Sequence, residues 1–357
     1  MKNLFKFLFS TIIIYFHRKT NQAIDFEVRG NQNKKILIIA YGALGDFIIC
    51  SPVFQLIRKK FSNAEIHLVA GERNADLARR SGWFKKVWSV RLNTIAFDRN
   101  NWKTVQAIRD SRYSLVINLF DEPDDVALAK ILVIAKNSQF ISIDIRKKSK
   151  FQGFQLKLFK KFFMNRKFFS YPAQSEIHFL ERIYKITEFW SNSVTPDFRY
   201  IFPDIDPTTV VKPIDAKGKI YVHPYGSQRN NCLDLGVIKS ITETLGENNY
   251  FLPTIKNKFT GDKLKAHYPD AVEFKTLYDL AAVIKDCTAV VSVDTDTAHL
   301  AVALDKPLFL IRANKDWRQN FDPKIGHYFV FKSDNTKIES IDLIRLQNEI
   351  KKFVSKL

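Results

Sequence analysis

Val290-Val291-Ser292-Val293-Asp294-Thr295-Asp296-Thr297-Ala298-His299-Leu300 passes from β-favouring residues through short polar ones into a helical apolar pattern, Leu300, Ala301, Ala303 and Leu304. That order reads as strand, tight turn and helix N-terminus. A helix start presents backbone N–H groups and a partial positive charge, so it suits a phosphate. Asp294, Thr295 and Thr297 are candidate caps, and the threonines or His299 can also donate to a phosphate oxygen. An ordinary capped αβ turn with a satisfied His299 fits this one segment equally well.

Working outward, a second unit of the same kind lies upstream. Lys219-Ile220-Tyr221-Val222 reads as a strand and leads into His223-Pro224-Tyr225-Gly226-Ser227-Gln228-Arg229, a Gly/Ser turn carrying a cation. Further strands are expected at Asn249–Leu252, Ala289–Val293 and Pro307–Ile311, and a terminal helix over Ser340–Leu357.

A similar series begins near the N-terminus. Lys35-Ile36-Leu37-Ile38-Ile39-Ala40 is a buried-strand pattern, followed by Tyr41-Gly42-Ala43-Leu44-Gly45-Asp46 and then by apolar residues at helical spacing. The two glycines allow a tight turn and leave room for a ligand near the strand's carboxyl end. The spacing is neither the G-x-G-x-x-G of dinucleotide folds nor a P-loop with its lysine. Asp46 is placed where open α/β sheets keep their chemistry, although a helix N-cap also accounts for it. Pro52 must sit in the first turn or kink the helix. Strands are expected at Glu65–Ala70, Lys86–Val90, Leu115–Leu119 and Gln139–Ile143, with helices around Trp102–Arg109, Asp125–Ile134 and Glu176–Trp190. Strands alternating with helices imply parallel sheets covered on both faces.

The chain has 357 residues, which favours two domains, and 46% apolar content lets each bury a core. Residues 191–213 carry four prolines and read as the linker. The expected domains are therefore 1–190 and 214–335, with 336–357 a helix that can pack back on the first. Three scattered cysteines exclude a disulfide framework or a zinc site and favour a reducing compartment.

The net charge is +19, which suits nucleic acid, an anionic membrane surface or a phosphorylated substrate. Charge alone supports nucleic acid, and no RNA- or DNA-binding module accompanies it, so that partner is set aside. Residues 4–16 form a mostly apolar run interrupted by Lys6, within a basic segment 1–20. Spanning a bilayer takes about 20 residues. An interfacial helix fits the run, as does a helix packed on its own domain. Residues 151–169 read as a helix with Phe151, Phe154, Leu158, Phe159, Phe162 and Phe163 on one side and Lys157, Lys160 and Lys161 opposite. That helix faces a membrane or an acceptor, or packs on the core with a solvated basic face.

Three stretches in order resemble glycosyltransferase family 9, the heptosyltransferases of lipopolysaccharide core synthesis. KILIIAYGALGDFIICSPVFQLIRKKFSNAEIHLVA is similar to the family's opening strand, "LGD" turn, helix and strand. YVHPYGSQRNNCLDLGVIKSI is similar to its donor loop, and VVSVDTDTAHLAVALDKP to its "VVSxDTGxxHLAxALxxP". The likeness runs over roughly residues 34–320. It implies a GT-B fold of α/β type, two Rossmann-like domains facing across a cleft, with the acceptor on the N-terminal domain and a nucleotide-sugar on the C-terminal one. Asp46 matches the family's catalytic base, and Gly42, Leu44 and Gly45 form its acceptor-side loop. Gly226, Ser227, Arg229, Asp294, Thr295, Asp296, Thr297 and His299 fall on the donor side. Two departures bear on the donor: Asp296 stands where the family has Gly, and Gln228-Arg229-Asn230-Asn231-Cys232 replaces Lys-Arg-Trp.

The resemblance implies inverting transfer of a sugar, heptose from ADP-heptose, to a lipid A–core acceptor. It implies no cofactor and no metal, and a location on the cytoplasmic face of the inner membrane. The rival expectations are the same fold with another nucleotide-sugar or acceptor, including an epimerase, and an inactive carbohydrate- or membrane-binding homologue.

Overall fold

The computed structural model describes residues 34–93, 98–120, 124–136, 138–143, 167–169, 179–184, 186, 199–204, 206–226, 229–254, 261–313, 327–333, 338 and 341–357. The amphipathic stretches 4–16 and 151–166 lie outside them. The chain divides into two compact units, Met1–Pro196 and Asp197–Leu357.

The first unit is built on six parallel strands: β1 Lys35–Ala40, β2 Glu65–Ala70, β3 Lys86–Ser89, β4 Leu115–Asn118, β5 Gln139–Ile143 and β6 Lys167–Phe169. Their order in the sheet is β3-β2-β1-β4-β5-β6. Leu37, Ile38, Ile39, Val116 and Ile117 are all fully buried, because a parallel sheet covered on both faces demands unbroken apolar runs. The connections carry α1 Leu44–Lys60, α2 Ala75–Arg80, α3 Arg99–Asp110 and α4 Asp125–Ala135, and α5 Phe179–Tyr184 follows β6. Asp98 and Asp124 accept backbone N–H bonds at the starts of α3 and α4, which explains where those helices begin. Pro52 lies well inside α1, beyond the first turn, where its missing N–H removes one helical bond. The sheet reverses its winding between β1 and β4, and the carboxyl ends of strands at such a point are where open α/β sheets bind ligands.

One expectation changes here. Lys167–Phe169, read as the end of a helix, is a strand paired with Ile141–Ile143. The backbone of an edge strand offers this aromatic segment a full ladder, which overrides the helical spacing. The end of the stretch 191–213, read as the linker, belongs to the second unit. There Tyr200 and Phe202 are buried, and the backbone N–H of Val211 donates to Asp279 Oδ1 at 2.7 Å.

The second unit carries five parallel strands, β7 Ile220–His223, β8 Tyr250–Phe251, β9 Ala289–Val293, β10 Leu308–Arg312 and β11 Tyr328–Lys332, ordered β11-β10-β9-β7-β8. Its helices are α6 Leu235–Leu245, α7 Gly261–His267, α8 Leu277–Asp286, α9 Asp296–Ala303 and α10 Leu343–Val354. The switch in winding falls between β7 and β9. The terminal helix turns Leu346, Ile350 and Phe353 into the core of the second unit, against α6. Its apolar stripe of one residue every three to four leaves that face in need of a partner, and the second unit supplies it.

Candidate active site

Asp294, Thr295 and Gly226, expected on the donor side, follow the carboxyl ends of β9 and β7, neighbours in the second sheet. Val222, Val291, Val293, Phe309 and Ile311 point into the core shared with α6 and α10. By the alternation of a strand, His223, Ser292 and Arg312 occupy the other face, and Asp294 continues that row. His223 pairs in register with Ser292, and Ile311 with Val293, so Arg312 stands beside Asp294.

Thr295 is the N-cap of α9 in extended conformation, and its side chain makes no capping hydrogen bond. The starts of α6, α8 and α10 differ: Asp234, Thr276 and Asp342 each accept a first-turn N–H. In the first turn of α9 the Ala298 N–H returns to the Thr295 carbonyl at 3.0 Å, and the cap side chain takes none of the first-turn N–H groups, as an anion site requires. Asp296 lies in that first turn, and Thr297 and His299 are buried beneath it, the His299 ring 6.0 Å from that of Tyr200.

The Arg312 guanidinium approaches the Asp294 carboxylate to 3.8 Å, with 7% of the arginine side chain and 29% of the aspartate accessible. Burial pushes the Asp294 carboxyl above its usual range; Arg312 draws it down and Asp296 pushes it up again. Burial lowers the Arg312 guanidinium from its ordinary value, and Asp294 opposes that. The two groups stabilise each other's charge in a place where each alone would be costly.

The loop after β7 runs alongside. Gly226 is required there: a Cβ would fall 2.5 Å from the Cβ and the carbonyl oxygen of Asn231. Its N–H donates to Cys232 Sγ at 3.3 Å, and Tyr221 Oη and His223 Nδ1 share a hydrogen bond of 2.9 Å. Arg229 opens a short 3-10 turn, Arg229–Asn231, and is exposed. Ser227 lies outside the described residues.

In the first unit, the turn after β1 holds Asp46. Its Oδ2 accepts from the Ala43 backbone N–H at 2.8 Å, which is one half of a capping box that the Ala43 methyl cannot reciprocate. Leu44 begins α1, and Gly45 is buried behind it. At Gly42 a Cβ would meet Asp46 Cβ and Oδ2 at 2.6 Å, so glycine here keeps the carboxylate in place. From the β2–α2 loop the buried Asn74 donates through Nδ2 to the carbonyls of Ala40, at 3.2 Å, and Gly42, at 3.4 Å. The edge of this sheet also carries Tyr41, whose ring meets that of Phe120 edge-on.

Among the described residues no group of three or more His, Cys, Asp or Glu side chains is placed to hold a metal ion. Cys50, Cys232 and Cys287 are buried thiols, and burial pushes Cys287 up to about 11.

Residues 275–316, which contain the β9–α9 turn and Arg312, match the model of glycosyltransferase family 9 (heptosyltransferase). Over this segment the chain is similar to the family 9 glycosyltransferases. A comparison with curated proteins gives no match. Among solved structures, a family 9 glycosyl transferase from Veillonella parvula aligns with a TM-score of 0.70 at 11% identity, over 94% of this chain and 99% of that one. E. coli heptosyltransferase WaaC with ADP aligns at 0.67 and 16% identity, over 89% and 99%. E. coli ADP-heptose lps heptosyltransferase II aligns at 0.65 and 14%, over 90% and 99%. At such identities the likeness is one of fold, and that fold is GT-B. Two residues that the sequence did not single out stand beside the expected ones: Arg312 next to Asp294, and Asn74 against the β1–α1 turn. Arg312 ends an apolar strand with an arginine, a signal open to reading. Asn74 sits in a polar loop and only its contacts reveal it.

Proposed function

We propose that this chain is an inverting glycosyltransferase that takes a nucleotide-sugar on its second unit, heptose from ADP-heptose, and passes the sugar to the inner core of a lipopolysaccharide or lipooligosaccharide. The observation that carries the reading is the uncapped start of α9 at the switch point of the second sheet, beside the Gly226 loop, inside the segment that matches family 9. A diphosphate placed there meets backbone N–H groups and the positive end of the helix dipole. The structural relative solved with ADP supports a nucleotide as the ligand.

In this reading Asp46 takes the proton from an acceptor hydroxyl as that oxygen attacks the anomeric carbon. The bond to the diphosphate breaks in line, the configuration inverts, and the nucleoside diphosphate leaves. Its new charge is met by the head of α9, Arg229, His299 and the Gly226–Ser227 turn. Asp294 and Asp296 are placed to meet sugar hydroxyls. The basic stretches 1–20 and 151–169 attach the protein to the anionic face of the inner membrane, and no described helix is long and apolar enough to cross it.

The deciding experiment incubates the purified chain with ADP-heptose and a heptose-deficient lipid A–core acceptor and follows the acceptor mass. Gain of one heptose, with release of ADP, is expected. No transfer from ADP-heptose, with transfer from another nucleotide-sugar, would keep the enzyme class and replace the donor. Nucleotide binding without transfer to any acceptor would favour an inactive homologue.

A further inference from the structure

The head of α9 carries more negative charge than a diphosphate site tolerates by itself. Asp294 closes β9, and Asp296 lies in the first turn of the helix that follows. Two carboxylates there oppose a third anionic group through Coulomb repulsion, which is strong where water is scarce. Among the described residues Arg312 supplies a buried countercharge. Arg312 ends β10, the strand next to β9, and its guanidinium stands 3.8 Å from Asp294 Oδ2. Only 7% of its side chain is accessible, against 29% for Asp294. The arginine is therefore the more deeply buried of the two.

We propose that Arg312 is a positioning residue of the donor site: it fixes the orientation of Asp294 and supplies the buried positive charge that lets Asp294 and Asp296 share the head of α9 with the diphosphate of the nucleotide-sugar. This rests on the donor reading given above. An arginine held by strand register is suited to the task, since its charge does not titrate away and its planar fork restricts the carboxylate's orientation. Asp294 faces Arg312 and Asp296; Arg312 faces Asp294 and, from β11, Tyr328. Burial raises the Asp294 carboxyl from its ordinary value, and Arg312 opposes that rise.

The test measures the affinity of the full chain for ADP and for ADP-heptose by calorimetry, as a function of pH. Arg312→Met should weaken ADP-heptose on the order of tenfold at neutral pH. Its deficit in ADP binding should shrink as pH falls, because Asp294 protonates more readily without its cation and its repulsion of the diphosphate is then relieved. Arg312→Lys should restore most of the affinity and the wild-type pH profile, and it stands in if the Met variant does not fold. Adding Asp296→Gly to the weakened variant should recover ADP binding by removing one of the two charges. A folded Arg312→Met with wild-type affinity and pH profile overturns the proposal, as does an Arg312→Lys variant no better than Arg312→Met. Absence of ADP and ADP-heptose binding in the wild-type chain overturns the donor reading itself, and this inference with it.

Discussion

Asp46 Oδ2 lies 2.8 Å from the backbone nitrogen of Ala43, so the carboxylate proposed as the base also closes the first turn of α1. One side chain serves helix and chemistry, and substitutions can separate the two. Asp46→Asn keeps an oxygen acceptor for the Ala43 N–H but no longer accepts a proton from a sugar hydroxyl. Its turnover should fall about 10²- to 10⁴-fold, the usual cost of losing a general base. Its melting temperature and ADP affinity should stay near wild type. Asp46→Ala should lose both turnover and, through the cap, about 1 kcal/mol of stability. Full transferase activity in Asp46→Asn would show that another group acts as base.

Gly226 is enclosed by the chain it turns into. A methyl group there would overlap Asn231, whose oxygen and Cβ lie 2.5 Å from its ideal position. Gly226→Ala should therefore shift the 3-10 turn that carries Arg229 and weaken ADP binding, with a loss of about 1–3 kcal/mol in stability by denaturant unfolding. Arg229→Ala leaves the loop backbone alone and should weaken ADP binding without a change in unfolding midpoint.

Asn74 fastens the β1–α1 turn through the carbonyls of Ala40 and Gly42. Asn74→Leu should leave those buried carbonyls short of a donor and cost about 1–3 kcal/mol. Since Gly42 adjoins the Asp46 turn, turnover should fall while ADP affinity is kept. A matched loss of kcat and ADP affinity would contradict a role confined to the first unit.

Lys130 is fully buried on α4 and donates to the Arg91 carbonyl at 2.8 Å. Burial pulls its pKa down from 10.5 to about 8, with Asp124 and Asp98 opposing. The unfolded chain then binds more protons than the native one between about 8 and 10.5, so this group makes stability rise with pH across that window. Below about 8 both states are protonated and the full burial cost, on the order of 3 kcal/mol, is present. Lys130→Met should flatten the rise seen in denaturant melts between those pH values. An unchanged slope would mean that the ammonium is solvated.

Residues 1–20 and 151–169 concentrate lysine and arginine around phenylalanine. Flotation of the full chain with anionic vesicles should succeed at low salt and decline as salt screens the attraction. Retention through carbonate extraction would instead indicate insertion.

Much of this molecule was legible along the chain. Ile36–Ala40 and Val290–Val293 are apolar runs that a doubly covered parallel strand requires, and each ends in a polar turn before a helix. That local order placed Asp46, Gly226 and Asp294 at carboxyl ends of strands, because the period of the apolar residues follows from how side chains leave a strand or a helix. What the chain could not tell was decided by pairing between distant segments. Lys167–Phe169 became a strand because the edge of β5 offered hydrogen bonds, and the face of α10 went to α6 because that core had room for it. Tyr328–Lys332 became β11 beside β10. Register then set Arg312 beside Asp294, 18 positions earlier in the chain, and a loop contact set Asn74 under Gly42. No local pattern encodes such neighbours, since they depend on which strands lie side by side and on how far each is slid along the next.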